Sequence, residues 1–401
     1  MTKRRDVIKG LATLPIAGVA ASGALASPTE KISGRDYFKE LGVRTFINAA
    51  GTYTALTASF MHPEVLDAYN YASKQYVGLN ELQDKAGERI AELLKCEAAM
   101  VTAGAASAIT LGTAGVLTGD DGEKAVRIPT DMTGIKTEVI SQKSHRVGYD
   151  HAMRNCGVKI IEVETRKEME AAINENTAML WFLNFANPNG KIQYEEFLEI
   201  AKKHKIPTMI DCAADVPPVE NLWKYTQMGF DLVCFSGGKG LRGPQSAGLL
   251  LGRKELIKAA RRNAPPNGNT VGRGMKVNKE EILGMMAAVE AYLNRDHEAE
   301  WQLWESQVKL IGEAASSVKG VKHEIHVPEI ANHVPSLRIT WNEKTVKISP
   351  NDVRTALRDG HPSIETVGGS DNIGITTWMM NPGEERIVAK RIKEILEAAK
   401  A

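Results

Sequence analysis

From about residue 97 the chain alternates uninterrupted apolar runs with stretches whose apolar residues recur every three or four positions. The runs are AAMVTA, TEVIS, VKIIEV, AMLWFLNF, PTMIDCAA and DLVCFS, with SAGLLLG close behind. Apolar runs of about four to eight residues are strands covered on both faces, and the amphipathic segments between them are the covering helices. The pattern predicts an α/β fold: a doubly wound, mostly parallel sheet over 96–265. Asn, Gly and Pro then crowd RRNAPPNGNTVGRGMKVNKEEI, which reads as a boundary. One long helix is predicted around EEILGMMAAVEAYLNRDHEAEWQLW, making 266–320 a connecting loop and helix. SLRITW, SIETVG and NIGITTW, with helices near 350–359 and 383–399, predict a smaller α+β domain over 321–401. Residues 27–95 are expected to supply an N-terminal arm and helices.

The first 26 residues break this pattern. Lys3, Arg4 and Arg5 precede a weakly apolar stretch rich in Ala and Gly that ends at Ala24-Leu25-Ala26. A paired-arginine start and a small-residue cleavage site predict twin-arginine export of a folded protein to the periplasm or beyond. The alternatives are a basic amphipathic helix or a membrane anchor, but the apolar part is shorter than the ~20 residues needed to span a bilayer. Removing 1–26 takes away four cations and one anion, so the formal charge of +1 becomes −2. A chain of that charge, with no basic block elsewhere, is not expected to bind nucleic acid, and the mature form is not expected to bind membrane. Cys96, Cys156, Cys212 and Cys234 lack metal-ligand spacing and are read as core thiols.

Three features fall at the carboxyl ends of predicted strands, where open α/β sheets bind ligands. In VTAGAASAITL, Gly104, Ala105, Ala106 and Ser107 link a strand to a helix. Small residues there either pack closely or admit an anion, which the helix N-terminus favours by about 0.3–1 kcal/mol. In MIDCAAD, Asp211 ends an apolar run and needs a partner, either a backbone amide or arginine, or the protonated nitrogen of a pyridine ring. Ala213 would set a methyl against such a ring.

The third feature is Lys239 in FSGGKGLRGPQ. A Walker-type phosphate loop is excluded because Gly240 stands where that motif needs Ser or Thr. The lysine is either a solvated loop residue or an amine for an aldehyde, with Gly237, Gly238 and Gly240 leaving room for something bulky. An anion cradle, an acid for a ring nitrogen and an amine for an aldehyde are together the handles of pyridoxal phosphate. Asn187 would hydrogen-bond the ring's phenolic oxygen or merely form an Asn-Pro turn. Ser236 would reach the phosphate, and His145 would stack on the ring or cap a helix.

These residues lie in stretches through which the chain resembles fold-type I pyridoxal-phosphate enzymes. The likeness is to the branch containing selenocysteine synthase and D-glucosaminate-6-phosphate ammonia-lyase. The stretches are INAAGTYTALTAS, YVGLNELQDKAGERIAELLKCEAAMVTAGAASAI, SHRVGYDHAMRNCGVKIIEV, MIDCAAD, FSGGKGLRGPQSAGLLLG and GRGMKVNKEEILGMMAAVEAY. The resemblance implies Lys239 as the lysine that binds the cofactor, Asp211 at the pyridine nitrogen and Gly104 to Ser107 near the phosphate. It also implies a site completed by a neighbouring subunit, hence at least a homodimer. Selenocysteine synthases share an added N-terminal RNA-binding region, and here INAAG follows within about twenty residues of the expected cleavage site, which argues against a tRNA substrate. Export also argues against a phosphorylated sugar acid.

The reaction expected is α,β-elimination from a polar 2-amino-3-hydroxy acid such as an amino-sugar acid, with Lys239 as general base, giving a 2-keto acid and ammonia. Thr54, Ser59, Arg273 and Arg338 are candidate substrate ligands, Arg338 through a two-pronged carboxylate clamp unless SLRIT alternation turns it to water. Racemisation, aldol cleavage, transamination and a selenocysteine-synthase-like transfer would use the same cofactor. An exported binding protein with a vestigial pocket is the non-enzymatic alternative.

Overall fold

The computed structural model describes residues 35–400, so the expected export signal lies outside the described residues. The described residues divide into two units between Thr45 and Phe46. The described part of the first holds a short helix, Tyr37–Leu41. Asp36 caps it by accepting from the Lys39 N–H at 3.0 Å, and Gly42 ends it with φ +68°.

The second unit contains strands β1 (Phe46–Asn48), β2 (Ala98–Thr102), β3 (Glu138–Gln142), β4 (Lys159–Val163), β5 (Thr177–Leu183), β6 (Thr208–Asp211), β7 (Leu232–Ser236), β8 (Gly248–Gly252), β9 (Val321–His326), β10 (Ser336–Trp341), β11 (Ser363–Glu365) and β12 (Ile373–Thr376). Seven of them form one sheet in the order β2-β8-β7-β6-β5-β3-β4. The pairs from β7 through β4 are parallel, and β8 runs antiparallel to both β2 and β7.

Alternation explains why these runs are apolar throughout. In β5, Leu180 and Phe182 enter the core on one face while Met179 and Trp181 enter the core on the other; Leu249 and Leu251 part from Leu250 in the same way in β8. Each fully buried side chain of this size contributes roughly 1.5–3 kcal/mol, so neither face tolerates polar substitution. The helix Gly104–Thr118 sits close against one face of the sheet, where a methyl on Gly112 would meet Met209 Sδ at 3.0 Å, and close against the helix Lys254–Asn263, where one on Gly115 would meet the backbone N of Ala260 at 2.7 Å.

The single long helix expected after residue 279 is two helices, Lys279–Leu293 and His297–Ser316. Asp296 breaks it, accepting from the Ala299 N–H at 3.0 Å as the N-cap of the second. The first helix packs its Ile282, Met285 and Val289 into the core of the large sheet. The second packs Val308, Ile311 and Ala315 with β9, β10 and β12, an antiparallel sheet in the order β12-β10-β9. The predicted helices near 350 and 383 are Pro350–Arg358 and Glu384–Ala398. β1, which the apolar pattern did not predict, pairs in parallel with β11 and buries Ile47 among the same residues.

Cys156, Cys212 and Cys234 are buried, Cys96 is half-buried, and all four are unpaired thiols. Among the described residues no helix is long and apolar enough to cross a membrane, and no cluster of His, Cys, Asp and Glu could hold a metal.

Candidate active site

Asp211 ends β6 beside Leu183 at the end of β5 and Cys234 in β7. It is buried, and its carboxylate accepts the Ala213 N–H at 2.9 Å. Burial pushes its pKa up; the Ala213 amide and the charge of Lys239 pull the other way. Four residues on, Asp215 is also buried, one of its oxygens lacks a partner, and burial raises its pKa to about 7. Lys239 is driven down by its own burial and held up by Asp211 and Asp215. Its amine makes no hydrogen bond or ion pair among the described residues. Desolvation outweighs the two carboxyls, so this lysine gives up its proton more readily than a surface lysine does.

The glycines around Lys239 have a different cause from the one expected. A methyl on Gly240 would lie 2.1 Å from Val216 O, on Gly238 2.5 Å from Gln245 Cα, and on Gly237 2.8 Å from Ala247 O. The chain's own backbone, not a bulky ligand, demands them. Ser59 Oγ donates to Gly238 O at 2.7 Å, so this side chain braces the lysine turn and is corrected from substrate ligand to support.

The helix Gly104–Thr118 begins without a side-chain cap and without an acidic residue in its first turn, so its positive end is not neutralised. Gly104 adopts φ +83°, Gly104 and Ala105 are half-buried, Ala106 is exposed, and Ser107 Oγ donates back to Ala103 O at 2.7 Å. Gly248 lies between Thr102 in β2 and the half-buried Ser236 in β7, which brings Ser236 toward this helix start. A methyl on Gly248 would fall 2.6 Å from the Gly104 carbonyl carbon and 2.8 Å from Ala105 N. Gly248→Ala is therefore expected to cost about 1–3 kcal/mol of stability, measured by urea unfolding, and to displace the helix start.

A cleft of about 640 Å³ reaches Lys239 and is lined by Thr54, Arg338, Asn332 and Trp378, with Tyr53, Tyr149 and Phe185 exposed on its wall. Thr54 and Arg338 thus line the same cleft as Lys239. Arg338 also pairs with Asp371 at 2.8 Å. Asn332 is held with φ +47° by its N–H donating to Ala214 O at 2.7 Å.

Other expected site residues lie elsewhere. Arg273 is exposed in the turn Val271–Gly274 and does not line the cleft; its neighbour Gly272 packs on Leu111 of the helix that starts at Gly104. His145 has no ring face to offer. It is fully enclosed, edge-on to Phe182, with Nδ1 accepting the Leu183 N–H at 3.2 Å, and burial lowers its pKa to about 4. Asn187 lines a separate cavity of about 260 Å³ with Tyr194 and Tyr225, and its buried carbonyl oxygen lacks a partner. Asn184 is the residue joined to the acids: it donates to Tyr225 Oη at 2.7 Å, accepts from Tyr194 Oη, and its hydrogen bond lowers the Asp215 pKa. Asp215 and Asn184 were both missed, although MIDCAAD carries a second acid four residues after the first.

A carboxyl with a folded pKa near 7, against 3.8 when exposed, binds a proton in the folded state that the unfolded chain has already released. Its stabilising contribution is complete below pH 4 and is lost as pH rises through 7. Asp215→Asn is expected to leave stability nearly unchanged at pH 4 and to raise it at pH 8.5, by up to about 4 kcal/mol. Urea unfolding at the two pH values, without added ligand, checks this.

The uncapped helix start, the buried acid and the unpaired, half-buried lysine at adjoining strand ends fit the phosphate, ring nitrogen and aldehyde of pyridoxal phosphate. They would hold it through Gly104 to Ser107, Asp211 and Lys239, with Ser236 and Ala213 alongside.

The chain is similar to several known proteins. Residues 46–326 match the family profile SelA, L-seryl-tRNA selenium transferase. The chain is 29% identical over 378 residues to a D-glucosaminate-6-phosphate ammonia lyase of Salmonella typhimurium (strain 14028s / SGSC 2262), covering 90% of this chain and 98% of the relative. It is 27% identical over 377 residues to a 5'-C-glycyluridine monooxygenase-decarboxylase of a Streptomyces species, covering 90% and 92%. A solved structure of D-glucosaminate-6-phosphate ammonia-lyase superposes with a TM-score of 0.80 at 27% identity, covering 91% of this chain and 99% of that one.

Proposed function

This chain belongs to the SelA family of L-seryl-tRNA selenium transferases and is a pyridoxal-phosphate enzyme, and within that class we propose that it removes water and ammonia from a polar 2-amino-3-hydroxy acid. The reading of a vestigial, non-catalytic pocket is set aside, since the proteins it matches are enzymes by name. The observation that carries the proposal is the half-buried amine of Lys239, without a hydrogen-bond partner among the described residues and near two buried carboxyls. The full-length likeness to an ammonia lyase directs that amine toward elimination.

When bound, the cofactor supplies an aldehyde for the amine and an electron-withdrawing ring that makes the substrate's α-hydrogen acidic. Lys239, with its lowered pKa, then takes that proton as general base. Asp211, in its dry position, favours a protonated ring nitrogen by pairing with it. Arg338 reaches into the cleft from β10, where a guanidinium can take a carboxylate in two-pronged fashion in place of Asp371. Thr54, which lines the same cleft, is the candidate hydroxyl ligand. Loss of the 3-hydroxyl as water and hydrolytic loss of the amino group balance to a 2-keto acid and ammonia. The polar cleft of about 640 Å³ suits an amino-sugar acid.

Several points extend this reading. The charge of −2 after removal of 1–26 supports a small substrate over tRNA, and Arg4 and Arg5 support export and a periplasmic site of action. The aromatic wall of the cleft, Tyr53, Tyr149 and Phe185, each more than half exposed, supports a second copy completing the site as a homodimer or larger assembly.

The test is incubation with a panel of amino-sugar acids, phosphorylated and free, and of hydroxy amino acids, with ammonia and keto acid measured together. Equimolar release of both is expected from at least one sugar acid. Exchange of the α-hydrogen with solvent, without ammonia, would replace elimination by racemisation.

A further inference from the structure

A second cavity, of about 420 Å³, lies behind the lysine turn and shares only Trp378 with the Lys239 cleft. Three guanidinium groups line it, those of Arg242, Arg295 and Arg386, against the carboxylates of Glu300 and Glu385. Glu300 pairs with Arg295 at 2.7 Å and Glu385 with Arg386 at 3.6 Å. Arg242 is left over. Among the described residues it has no carboxylate partner, and its guanidinium donates only to the carbonyl of Trp378.

This arrangement is costly on several counts. Arg242 is half-buried; desolvation and then the charge of Arg295 act against its cationic form, while Glu300, already paired with Arg295, acts for it. Its backbone has φ +50°, a left-handed conformation that costs a side chain of this kind about 1–3 kcal/mol and that glycine would adopt freely. Arg295 Nε and Thr377 Oγ1, both belonging to residues on the cavity wall, are buried without hydrogen-bond partners. Nearby His62 also has an unpartnered Nε2, and its pKa falls to about 3 through burial and then through Arg242 and Arg295. Glu300 offsets only part of this excess of positive charge, and a bound anion would offset the rest.

We propose that this cavity binds a small oxyanion, the phosphate or carboxylate group of a metabolite, between the guanidinium groups of Arg242 and Arg295, at a site separate from the Lys239 cleft. The Arg242 N–H donates to Lys239 O at 3.0 Å, and Gly240 lines the cavity. An anion there would hold the lysine turn from behind, which makes the cavity a place where a metabolite can adjust the reactive amine without touching the substrate.

The test is equilibrium dialysis of the cofactor-loaded protein, purified in chloride, against labelled inorganic phosphate and, separately, labelled succinate. Saturable binding of one anion per chain is expected, and the tighter ligand of the two identifies the phosphate or carboxylate source. Arg242→Gly, which relieves the backbone and removes the charge, is expected to weaken binding about tenfold or more while remaining folded. Arg295→Gln is expected to weaken it similarly. Arg338→Gln, altered in the other cleft, is expected to bind as the unaltered protein does. Absence of saturable binding for both anions, undiminished binding by Arg242→Gly, or its loss in Arg338→Gln would each overturn the proposal. The readout is binding, so it stands or falls independently of the elimination reaction.

Discussion

Replacing Lys239 by alanine is expected to lower turnover at least about a thousandfold, because the amine serves both to hold the cofactor and to carry the α-proton. The fold should survive. The amine makes no hydrogen bond in the described structure, and removing a group driven down in pKa by burial leaves stability equal or higher. Circular dichroism and urea unfolding separate loss of function from loss of fold. Borohydride reduction followed by peptide mapping gives a readout apart from turnover: the unaltered chain should carry a reduced pyridoxyl group on Lys239, and the alanine variant none anywhere. Arginine in its place would keep the charge but could not release its proton, so Lys239→Arg is expected to be as inactive as the alanine variant. Activity within tenfold of normal in either variant would remove the lysine from the mechanism.

How far such a site can be read without coordinates depended on which forces set each residue. The strands of the large sheet were legible because they are buried on both faces, and an apolar run of that kind has few other uses. β1 was not, since FIN is three residues long and owes its strand geometry to β11, more than three hundred residues later. The break at Asp296 was in principle visible as a capping residue, but apolar positions on either side continued the helical period and masked it. Lys239 and Asp211 were legible from their place at strand ends. Their glycine setting was misjudged, because close approach to Val216, Gln245 and Ala247 cannot be distinguished in sequence from close approach to a ligand.

The residues read wrongly are those whose roles depend on side-chain direction. His145 follows β3 by only three residues, yet its ring turns into the core against Phe182. Ser59 hydrogen-bonds the lysine turn, and Arg273 is exposed to solvent. Asn184 and Asn187 are three apart in one helical turn, and only the structure distinguishes the one bonded to Tyr225 from the one with an unpaired oxygen. Arg242 passed unnoticed because an arginine in a glycine-rich loop is ordinarily solvated. Its partial burial and positive φ set it apart.

Substituting asparagine for Asp211 is expected to reduce turnover by about a hundredfold to a thousandfold, second only to the loss of Lys239. The physical reason is the charge, not the shape. A carboxylate buried at the end of β6 would favour the cationic form of a ring nitrogen, whereas a neutral amide of the same outline leaves that nitrogen free to lose its proton. The substitution removes a carboxyl whose ionised form burial disfavours, so stability at pH 8 should hold or rise while activity falls. Borohydride labelling at Lys239 should persist, because attachment uses the aldehyde and not the ring nitrogen. Asp215→Asn, one turn further along the same buried pair, should cost less than tenfold, since it acts through Asp211 and Lys239 by charge alone. Measuring turnover, labelling and urea stability on both variants separates the two acids. If Asp215→Asn proves the more damaging for turnover while Asp211→Asn leaves it within tenfold of normal, the ring nitrogen belongs to Asp215 instead.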